Sequence, residues 1–95
     1  MEVITFVKGK VSDSKIEEFK RGYDTLKKED KPYGFIASYL LQDSEIRDLY
    51  IIESVWKSPE ALENMRKTDE PSAPALFKSV GSKPVIGIYN VVNTI

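Results

Sequence analysis

Four stretches of the chain are dense in aliphatic and aromatic residues, and polar segments of helical character separate them. Such residues pack well on a pleated surface, so these stretches predict β-strands. We place the strands at residues 2–10, 35–42, 49–56 and 85–93. The short polar loop between the second and third strands predicts an antiparallel hairpin.

The segment after the first strand has the pattern of an amphipathic helix. Its apolar residues recur every three or four positions, at Ile16, Phe19, Tyr23 and Leu26. This spacing places them on one face of a helix, while charged residues cover the other face. Ser14 and Glu17 have the spacing of a capping box, and residues 31–34 are expected to end the helix.

Two further helices are predicted before the last strand. Ser58 offers an N-cap oxygen to a helix at about residues 59–67, and Pro59 suits its first position. Residues 69–71 are expected to break this helix, because they end in a proline. A shorter helix is predicted at residues 72–80.

The predicted order is strand, helix, strand, strand, helix, strand, with an extra short helix before the last strand. This is the ferredoxin-like order of an α+β fold, in which an antiparallel four-stranded sheet carries helices on one face. We expect residues 1–95 to form one such domain, since no repeat, low-complexity segment or linker divides them.

Both faces of the predicted sheet are apolar, although two helices can cover only one. The third strand alternates two apolar sets, Tyr50, Ile52 and Trp56 against Leu49, Ile51 and Val55. The residues expected to share one face of the second strand are Phe35, Ala37, Tyr39 and Leu41. An uncovered second face would be a large exposed patch. We therefore predict a homodimer packed sheet face to sheet face; the alternative is a twisted sheet that leaves some apolar residues exposed.

Glu53 interrupts the apolar pattern of the third strand. A carboxylate on a buried face costs free energy unless an opposite charge or hydrogen bonds compensate it. We expect Glu53 to pair with a lysine or arginine across the dimer interface rather than to act as a general base.

Composition narrows the possible chemistry. The 95 residues contain no cysteine and no histidine. This excludes disulfides, thiol catalysis and zinc-thiolate sites, and it removes the most common general base, haem ligand and metal ligand. Asp43, Glu45 and Asp48 share one loop but lack the spacing of a calcium-binding loop, so we predict no metal site.

The balance of charges argues against nucleic-acid or membrane partners. The net charge is −1, with acidic and basic residues interspersed. The N-terminal segment lacks the basic start and the length of a signal peptide or membrane span, so we predict a cytoplasmic location. RNA-recognition domains share this order of elements, and residues 5–9 faintly resemble their first-strand motif. Residues 48–54 lack their basic-glycine-aromatic signature, which makes RNA binding the weaker alternative.

Two segments carry a resemblance to a known family. Residues 34–39, GFIASY, and 50–62, YIIESVWKSPEAL, resemble the antibiotic biosynthesis monooxygenase superfamily. The likeness covers nearly the whole chain in the order of its elements and is sharpest in the Trp-x-Ser-x-x-Ala-Leu motif from Trp56 to Leu62. It implies a dimeric α+β barrel, in which the ferredoxin-like sheets of two subunits pack together.

The chain departs from the family pattern at several positions. Where members often have a glutamate two residues before the tryptophan, this chain has Ser54. Where they often have a histidine nine residues after it, this chain has Met65. Members that degrade haem use an axial histidine and a first-strand asparagine, but this chain has no histidine and no asparagine before Asn64. We therefore expect no haem degradation.

The candidate ligand-binding residues are aromatic, sulfur-containing and hydroxylic. The resemblance makes Trp56 the leading candidate, with Tyr50 and Ser54 on the same strand face. Met65 and Phe77 would come from the covering helices, and the five together are predicted to line an apolar pocket between sheet and helices. The alternative for such a set is ordinary core packing. Further polar groups that could orient a ligand are Ser38, Tyr39, Tyr89 and Asn90.

The resemblance implies a protein that binds a small aromatic or quinol-like molecule. Its catalytic form would be a monooxygenase that uses no metal, flavin or other cofactor. Such a reaction needs a positioned substrate and a proton acceptor, and the sequence offers no strong candidate for the acceptor. A non-catalytic ligand-binding or structural dimer of the same fold is the alternative.

Overall fold

One antiparallel sheet of four strands forms the centre of the structure, a computed structural model that describes residues 1–68 and 71–95. The elements in chain order are β1 (Val3–Lys10), α1 (Ile16–Lys28), β2 (Phe35–Gln42), β3 (Leu49–Trp56), α2 (Pro59–Thr68), α3 (Ser72–Ser79) and β4 (Val85–Asn90). The strand order is β2-β3-β1-β4, and every neighbouring pair is antiparallel. The predicted ferredoxin-like α+β fold is thereby confirmed.

Strand β3 defines the two faces of the sheet. Its residues Tyr50, Ile52, Ser54 and Trp56 are buried and point toward the helices. The alternating residues Leu49, Ile51, Glu53 and Val55 are only partly buried. We call these two sides the helix face and the open face. The alternation follows from the period of two in a strand, since successive side chains leave opposite sides of the sheet.

Strand boundaries agree closely with the sequence predictions, and the details at two strands differ. β2 contains an irregularity between Phe35 and Ala37, where two residues oppose one on β3. Phe35 therefore pairs beside Trp56 on the helix face, so the prediction that it shares a face with Ala37 was wrong. β4 ends at Asn90 rather than at residue 93, although the backbone N–H of Val91 still donates to the carbonyl of Glu2 at 2.9 Å.

The helices also differ from their predictions at their ends. α1 begins at Ile16 after a single 3-10 turn, Asp13–Lys15, and no side chain caps it. The predicted capping box of Ser14 and Glu17 was therefore wrong, because Ser14 lies inside that turn. The Ser58 cap is confirmed, since its Oγ accepts the backbone N–H of Ala61 at 3.2 Å. The break predicted at residues 69–71 falls largely on positions outside the described residues.

The core consists of two separate clusters on the helix face. The main cluster contains Val7, Val11, Phe19, Tyr50, Ile52, Phe77 and Val80. It holds α1 and α3 against the sheet, and the rings of Phe19 and Phe77 lie 4.8 Å apart. The Trp56 cluster contains Val3, Trp56 and Leu62, with Phe35 and Met65 packed against it. It holds α2, and each large side chain so buried contributes about 1.5–3 kcal/mol of transfer free energy.

The helices of the described ranges are all short. None of them is long and apolar enough to cross a membrane.

Candidate functional site

A cavity of about 690 Å³ lies on the helix face, between the two core clusters. Val7 and Ile52 of the main cluster form part of its wall, and Trp56 and Leu62 of the Trp56 cluster form another part. Its size falls within the range of small-molecule sites, which are mostly apolar with a few placed polar groups. The gap in the core is therefore large enough to hold an organic ligand.

A line of three hydroxyl groups crosses the floor of this cavity. Ser38 on β2 pairs with Ser54 on β3, and Ser54 pairs with Thr5 on β1. All three line the cavity, and we call them the hydroxyl row. Residues on either side of the row along the strands are apolar, so the row separates the main cluster from the Trp56 cluster.

Hydrogen bonds fix both ends of the hydroxyl row. Tyr23 reaches down from α1, and its Oη donates to Ser38 Oγ at 3.1 Å. Ser54 Oγ donates to the same Ser38 oxygen at 3.4 Å. At the other end, the indole Nε1 of Trp56 donates to Thr5 Oγ1 in a long bond of 3.4 Å. No buried polar side-chain atom of the described residues is without a hydrogen-bond partner.

Trp56 is held rigidly in the cavity wall. Its side chain is 6% exposed, and the ring of Phe35 meets it edge-on with a centroid distance of 5.5 Å and an interplanar angle of 84°. Such an edge-to-face pair adds to the stability gained from burial. The irregularity in β2 makes this contact possible, because it turns Phe35 toward the helix face. The indole therefore presents a fixed apolar surface to the cavity.

The structure brings three of the five candidate residues together at the cavity. Trp56, Ser54 and Met65 all line it. Tyr50 and Phe77 instead lie in the main cluster, where both pack against Phe19. Tyr50 lies at the opposite end of β3 from Trp56, so the shared strand face does not bring the two side chains to one place.

The other polar candidates divide between the two faces of the sheet. Ser38 belongs to the hydroxyl row. Tyr39 and Tyr89 lie on the open face and are 53% and 58% exposed, so they point away from the cavity. Asn90 pairs with Val3 at the end of β4 and is exposed. Only Ser38 of these four is placed where it could orient a ligand in the cavity.

Sequence reasoning missed two of the residues that give the cavity its polar character. Thr5 was assigned to the first strand without a role, and Tyr23 was assigned to the apolar stripe of the first helix. The signal for Thr5 is a hydroxyl residue at the same level on each of three adjacent strands. That signal becomes readable only when the strand order and register are known.

Charged side chains surround the mouth of the cavity, and most of the cations are already partnered. Lys27 pairs with Asp24 at 3.2 Å, and Arg66 pairs with Glu63 at 3.5 Å. Lys31 Nζ donates to the carbonyl oxygens that end α1, including that of Leu26 at 2.6 Å. The carboxylates among the described lining residues are Glu29 and Asp30, which are exposed at this mouth. Strong attraction for a highly charged ligand is therefore not expected.

Metal-ligating side chains are sparse among the described residues that line the cavity. Across residues 1–68 and 71–95, no group of three or more acidic, histidine or cysteine side chains is arranged to hold a metal ion. The chain has no histidine and no cysteine, the residues that most often bind haem iron. The lining is suited to van der Waals contact and hydrogen bonding with an organic molecule.

A four-stranded antiparallel sheet with its helices on one face defines the protein as a small ferredoxin-like α+β protein. The sequence profile of the antibiotic biosynthesis monooxygenase family matches residues 3–73. The chain therefore belongs to the antibiotic biosynthesis monooxygenase family, as its resemblance in two motifs indicated. No curated protein matches the chain.

Three solved structures illustrate how far the fold is shared. A conserved protein from Methanosarcina mazei Go1 is 23% identical with a TM-score of 0.77, over 94% of this chain and 91% of that one. A variant of SnoaB, a cofactor-independent oxygenase from Streptomyces nogalater, is 20% identical with a TM-score of 0.70, over 99% and 96%. A variant of MhuD with two manganese protoporphyrin IX molecules bound per active site is 17% identical with a TM-score of 0.74, over 98% and 97%. At these identities the similarity shows the fold alone.

Proposed function

We propose that this protein binds a small, flat aromatic or quinol-like molecule in the cavity. The observation that carries the proposal is an apolar cavity of about 690 Å³ with a polar line across its floor. Apolar walls make the burial of a ring favourable, and a few fixed hydroxyls orient the ring. Trp56, Met65 and Ser54 are the proposed binding residues, together with Thr5 and Ser38.

Binding can be measured directly through Trp56, the single tryptophan of the chain. We expect a simple naphthol or hydroquinone to change its fluorescence and to give a saturable heat of binding by calorimetry. Ile88 lines the cavity from β4 and is partly exposed, so Ile88→Phe adds bulk to the cavity with little cost to folding. This variant should weaken binding by about tenfold or more, through steric exclusion.

The matched control is Ile46→Phe, which adds the same ring in the loop between β2 and β3, outside the cavity. It should bind as tightly as the wild type. Equal affinity in both variants would mean that the probe binds elsewhere, and no binding by the wild type to any probe of the panel would count against the proposal.

The second candidate function is monooxygenation without a cofactor, which membership of the family favours. A phenol would become a quinone: one atom of O₂ enters the ring, the other leaves as water, and the phenol supplies the four electrons. The protein would hold the ring against Trp56, exclude water and orient the phenol oxygen on the hydroxyl row. The floor offers hydroxyls rather than a carboxylate or imidazole, so the substrate would have to lose its proton readily.

Oxygen uptake separates the enzyme from its non-catalytic alternative. We expect an enzyme to consume one O₂ per phenol converted, with the activity lost in Ile88→Phe and kept in Ile46→Phe. If the naphthol or hydroquinone binds but no oxygen is consumed above the rate in buffer, the result favours the alternative, a non-catalytic ligand-binding protein of the same fold.

We further propose that the open face binds a second copy of this chain. Large apolar side chains remain uncovered there, including Tyr39, Val85 at 70% exposure and Tyr89. Glu53 lies on this face between Phe6 and Tyr39, and Lys8 lies one pleat away on β1. In a two-fold dimer the same face meets itself, so Glu53 of one protomer can pair with the partner's Lys8. Apolar area and complementary charge both support a second copy as the occupant.

The absence of a cofactor, the absence of RNA binding and the cytoplasmic location, all expected from the sequence, stay predictions. The purified protein should carry no absorbing cofactor, which its visible spectrum tests. It should not retard a labelled RNA at physiological salt, because its charges are balanced. It should be found in the cytoplasmic fraction of its cells.

A further inference from the structure

We infer that the cavity has a second entrance beside the edge strand β2, and that the side chain of Tyr23 closes it. We call Tyr23 and its hydrogen bond to Ser38 the Tyr23 gate. The entrance admits small uncharged molecules, such as dioxygen. The inference goes beyond the proposed function, because it concerns access to the cavity and holds for any ligand.

A second hollow lies on the other side of the gate. A groove of about 480 Å³, which we call the outer groove, runs between α1 and β2. Tyr23, Lys27 and Ser38 line both the outer groove and the cavity. Side chains that face two hollows at once form the wall between them. The cavity and the outer groove are therefore separated by a single layer of side chains.

The position of β2 leaves the outer groove open to solvent. Among the described strands β2 pairs with β3 alone, so its other edge lies beside no strand. Tyr39 and Leu41 line the groove from β2 and are 53% and 37% exposed. Lys20 lines it from α1 and is also exposed. Small molecules in solution can thus reach the outer side of the wall.

Two weak polar contacts hold the Tyr23 side chain, in addition to its packing against the main cluster. Its Oη donates to Ser38 Oγ at 3.1 Å, and Lys27 Nζ lies 5.9 Å from the centre of its ring. One hydrogen bond contributes little net stability, so we expect it to be broken in about a tenth of the molecules at any moment. Rotation of the ring can then open the wall without a change in helix or sheet.

Opening the gate leaves no buried polar group without a partner. When Tyr23 swings away, Ser38 Oγ still accepts from Ser54 Oγ at 3.4 Å. The Tyr23 hydroxyl can bond to water in the outer groove. Buried groups that lose every hydrogen bond are the ones that make opening costly. The hydroxyl row therefore keeps its shape while the entrance opens and closes.

Acrylamide provides the test, because it is a small neutral molecule that quenches tryptophan fluorescence on collision. Trp56 is the single tryptophan of the chain and lines the cavity at 6% exposure. We expect Tyr23→Ala to raise the quenching constant of Trp56 by about threefold to tenfold, since the entrance is then always open instead of open in about a tenth of the molecules.

Two milder substitutions separate a gate from a residue that only fills space. Tyr23→Phe and Ser38→Ala each remove the hydrogen bond of the gate and keep the aromatic ring. Each should raise the quenching constant by a smaller and similar amount. The double variant should give no further increase, because both substitutions break the same contact.

The controls are Lys20→Ala, which changes the outer groove away from the wall, and Val80→Ala, which loosens the main cluster away from the wall. Both should be quenched as the wild type is. Circular dichroism and urea unfolding establish that each variant is folded.

The inference is wrong if folded Tyr23→Ala is quenched as the wild type is, or if Tyr23→Phe and Ser38→Ala both are. It is also wrong if Val80→Ala raises quenching as much as these two, since access would then come from general loosening. If Tyr23→Ala does not fold, Tyr23→Phe and Ser38→Ala decide the question. Ligand binding is measured separately, so the proposed function can stand or fail independently of the gate.

Discussion

Gly34 lies where β2 begins beside α2, in a backbone conformation that side chains rarely adopt. Its φ is +87°, and a Cβ added there would collide with the Cβ of Ala61. Its carbonyl also accepts the N–H of Lys57 at 2.7 Å. We expect Gly34→Ala to lower the free energy of unfolding by about 2 kcal/mol or more, from backbone strain plus the clash. Urea unfolding measures this loss.

Gly81 provides the matched control for that prediction. Its φ of +81° is similar, but a Cβ there would meet no atom within 4 Å. Gly81→Ala should therefore cost only the backbone term, about 1 kcal/mol. Equal losses in the two variants would show that contact with Ala61 contributes nothing.

Asp43 is the residue whose titration should be visible in stability. Its Oδ1 accepts the backbone N–H groups of Ile46 at 2.8 Å and Glu45 at 2.9 Å, and these bonds hold the pKa of the carboxyl below its ordinary value of 3.8. Because the folded pKa is lowered, the ionised form stabilises the fold above the unfolded pKa. That contribution is lost as the pH falls through the folded pKa.

The corresponding experiment compares wild type, Asp43→Asn and Asp43→Ala by urea unfolding between about pH 2 and pH 7. The wild type should be more stable than Asp43→Ala at neutral pH, and the difference should shrink below about pH 4. Asp43→Asn keeps an acceptor oxygen for the turn, so it should lie between the two and lack this pH dependence. A wild-type advantage that persists unchanged to the lowest pH contradicts the assignment.

At the scale of residues, the sequence predicted which kinds of side chain line the cavity better than it predicted which residues they are. Trp56 could be named from the family motif, Ser54 from the strand face that it shares with Trp56, and Met65 from its place in the covering helix. Tyr50 and Phe77 are aromatic like Trp56, but both of their rings pack against Phe19 in the main cluster. Such a choice depends on which helix lies above which strand, and a single sequence does not contain that information.

Among the secondary-structure elements, α2 depends on the N-cap residue that precedes it. Ser58 Oγ accepts the N–H of Ala61, so Ser58→Ala should destabilise the protein by about 1 kcal/mol. Ser58→Asp should retain the stability, because a carboxylate also caps a helix and suits its N-terminus. Thermal unfolding followed by circular dichroism measures both changes.

Ser14→Ala tests the correction made for α1. The side chain of Ser14 lies within a 3-10 turn and no side chain caps this helix, so the substitution should leave the stability nearly unchanged. A loss similar to that of Ser58→Ala would mean that Ser14 caps α1 in solution.

The bounds of β2 and β3 could be predicted from sequence, whereas the end of β4 and some side-chain directions could not. The boundaries of β2 and β3 follow from dense apolar runs bounded by turn residues. The irregularity after Phe35 inserts one residue and reverses the face of that side chain, and nothing in the run Phe35, Ile36, Ala37 indicates it. The contact between Phe35 and Trp56 therefore had to come from the structure.

For the whole molecule, the most direct prediction concerns assembly. We expect sedimentation equilibrium to give a mass near twice the 10.8 kDa of the chain. Ile51 lies on the open face of the central strand β3, so Ile51→Lys should place a charge in the interface and dissociate the dimer. The protein should remain folded, since that face does not carry the core.

Ile46→Lys is the control for charge alone, because Ile46 is exposed in the loop between β2 and β3. It should sediment as the wild type does. A monomeric wild type at high concentration, or dissociation by both substitutions, would contradict the assignment of the open face as the interface.

The division of the core into two clusters has a consequence for how a ligand enters. α2 is held to the sheet mainly through Leu62 and Met65 of the Trp56 cluster, while α1 and α3 share the larger main cluster. Local opening needs only the contacts of the segment that opens. Amide hydrogens of α2 should therefore exchange with solvent faster than those of β1 and β3, and a bound ligand should slow them. Faster exchange in α2 would mean that this helix can open locally and admit a ligand to the cavity while the rest of the fold stays folded.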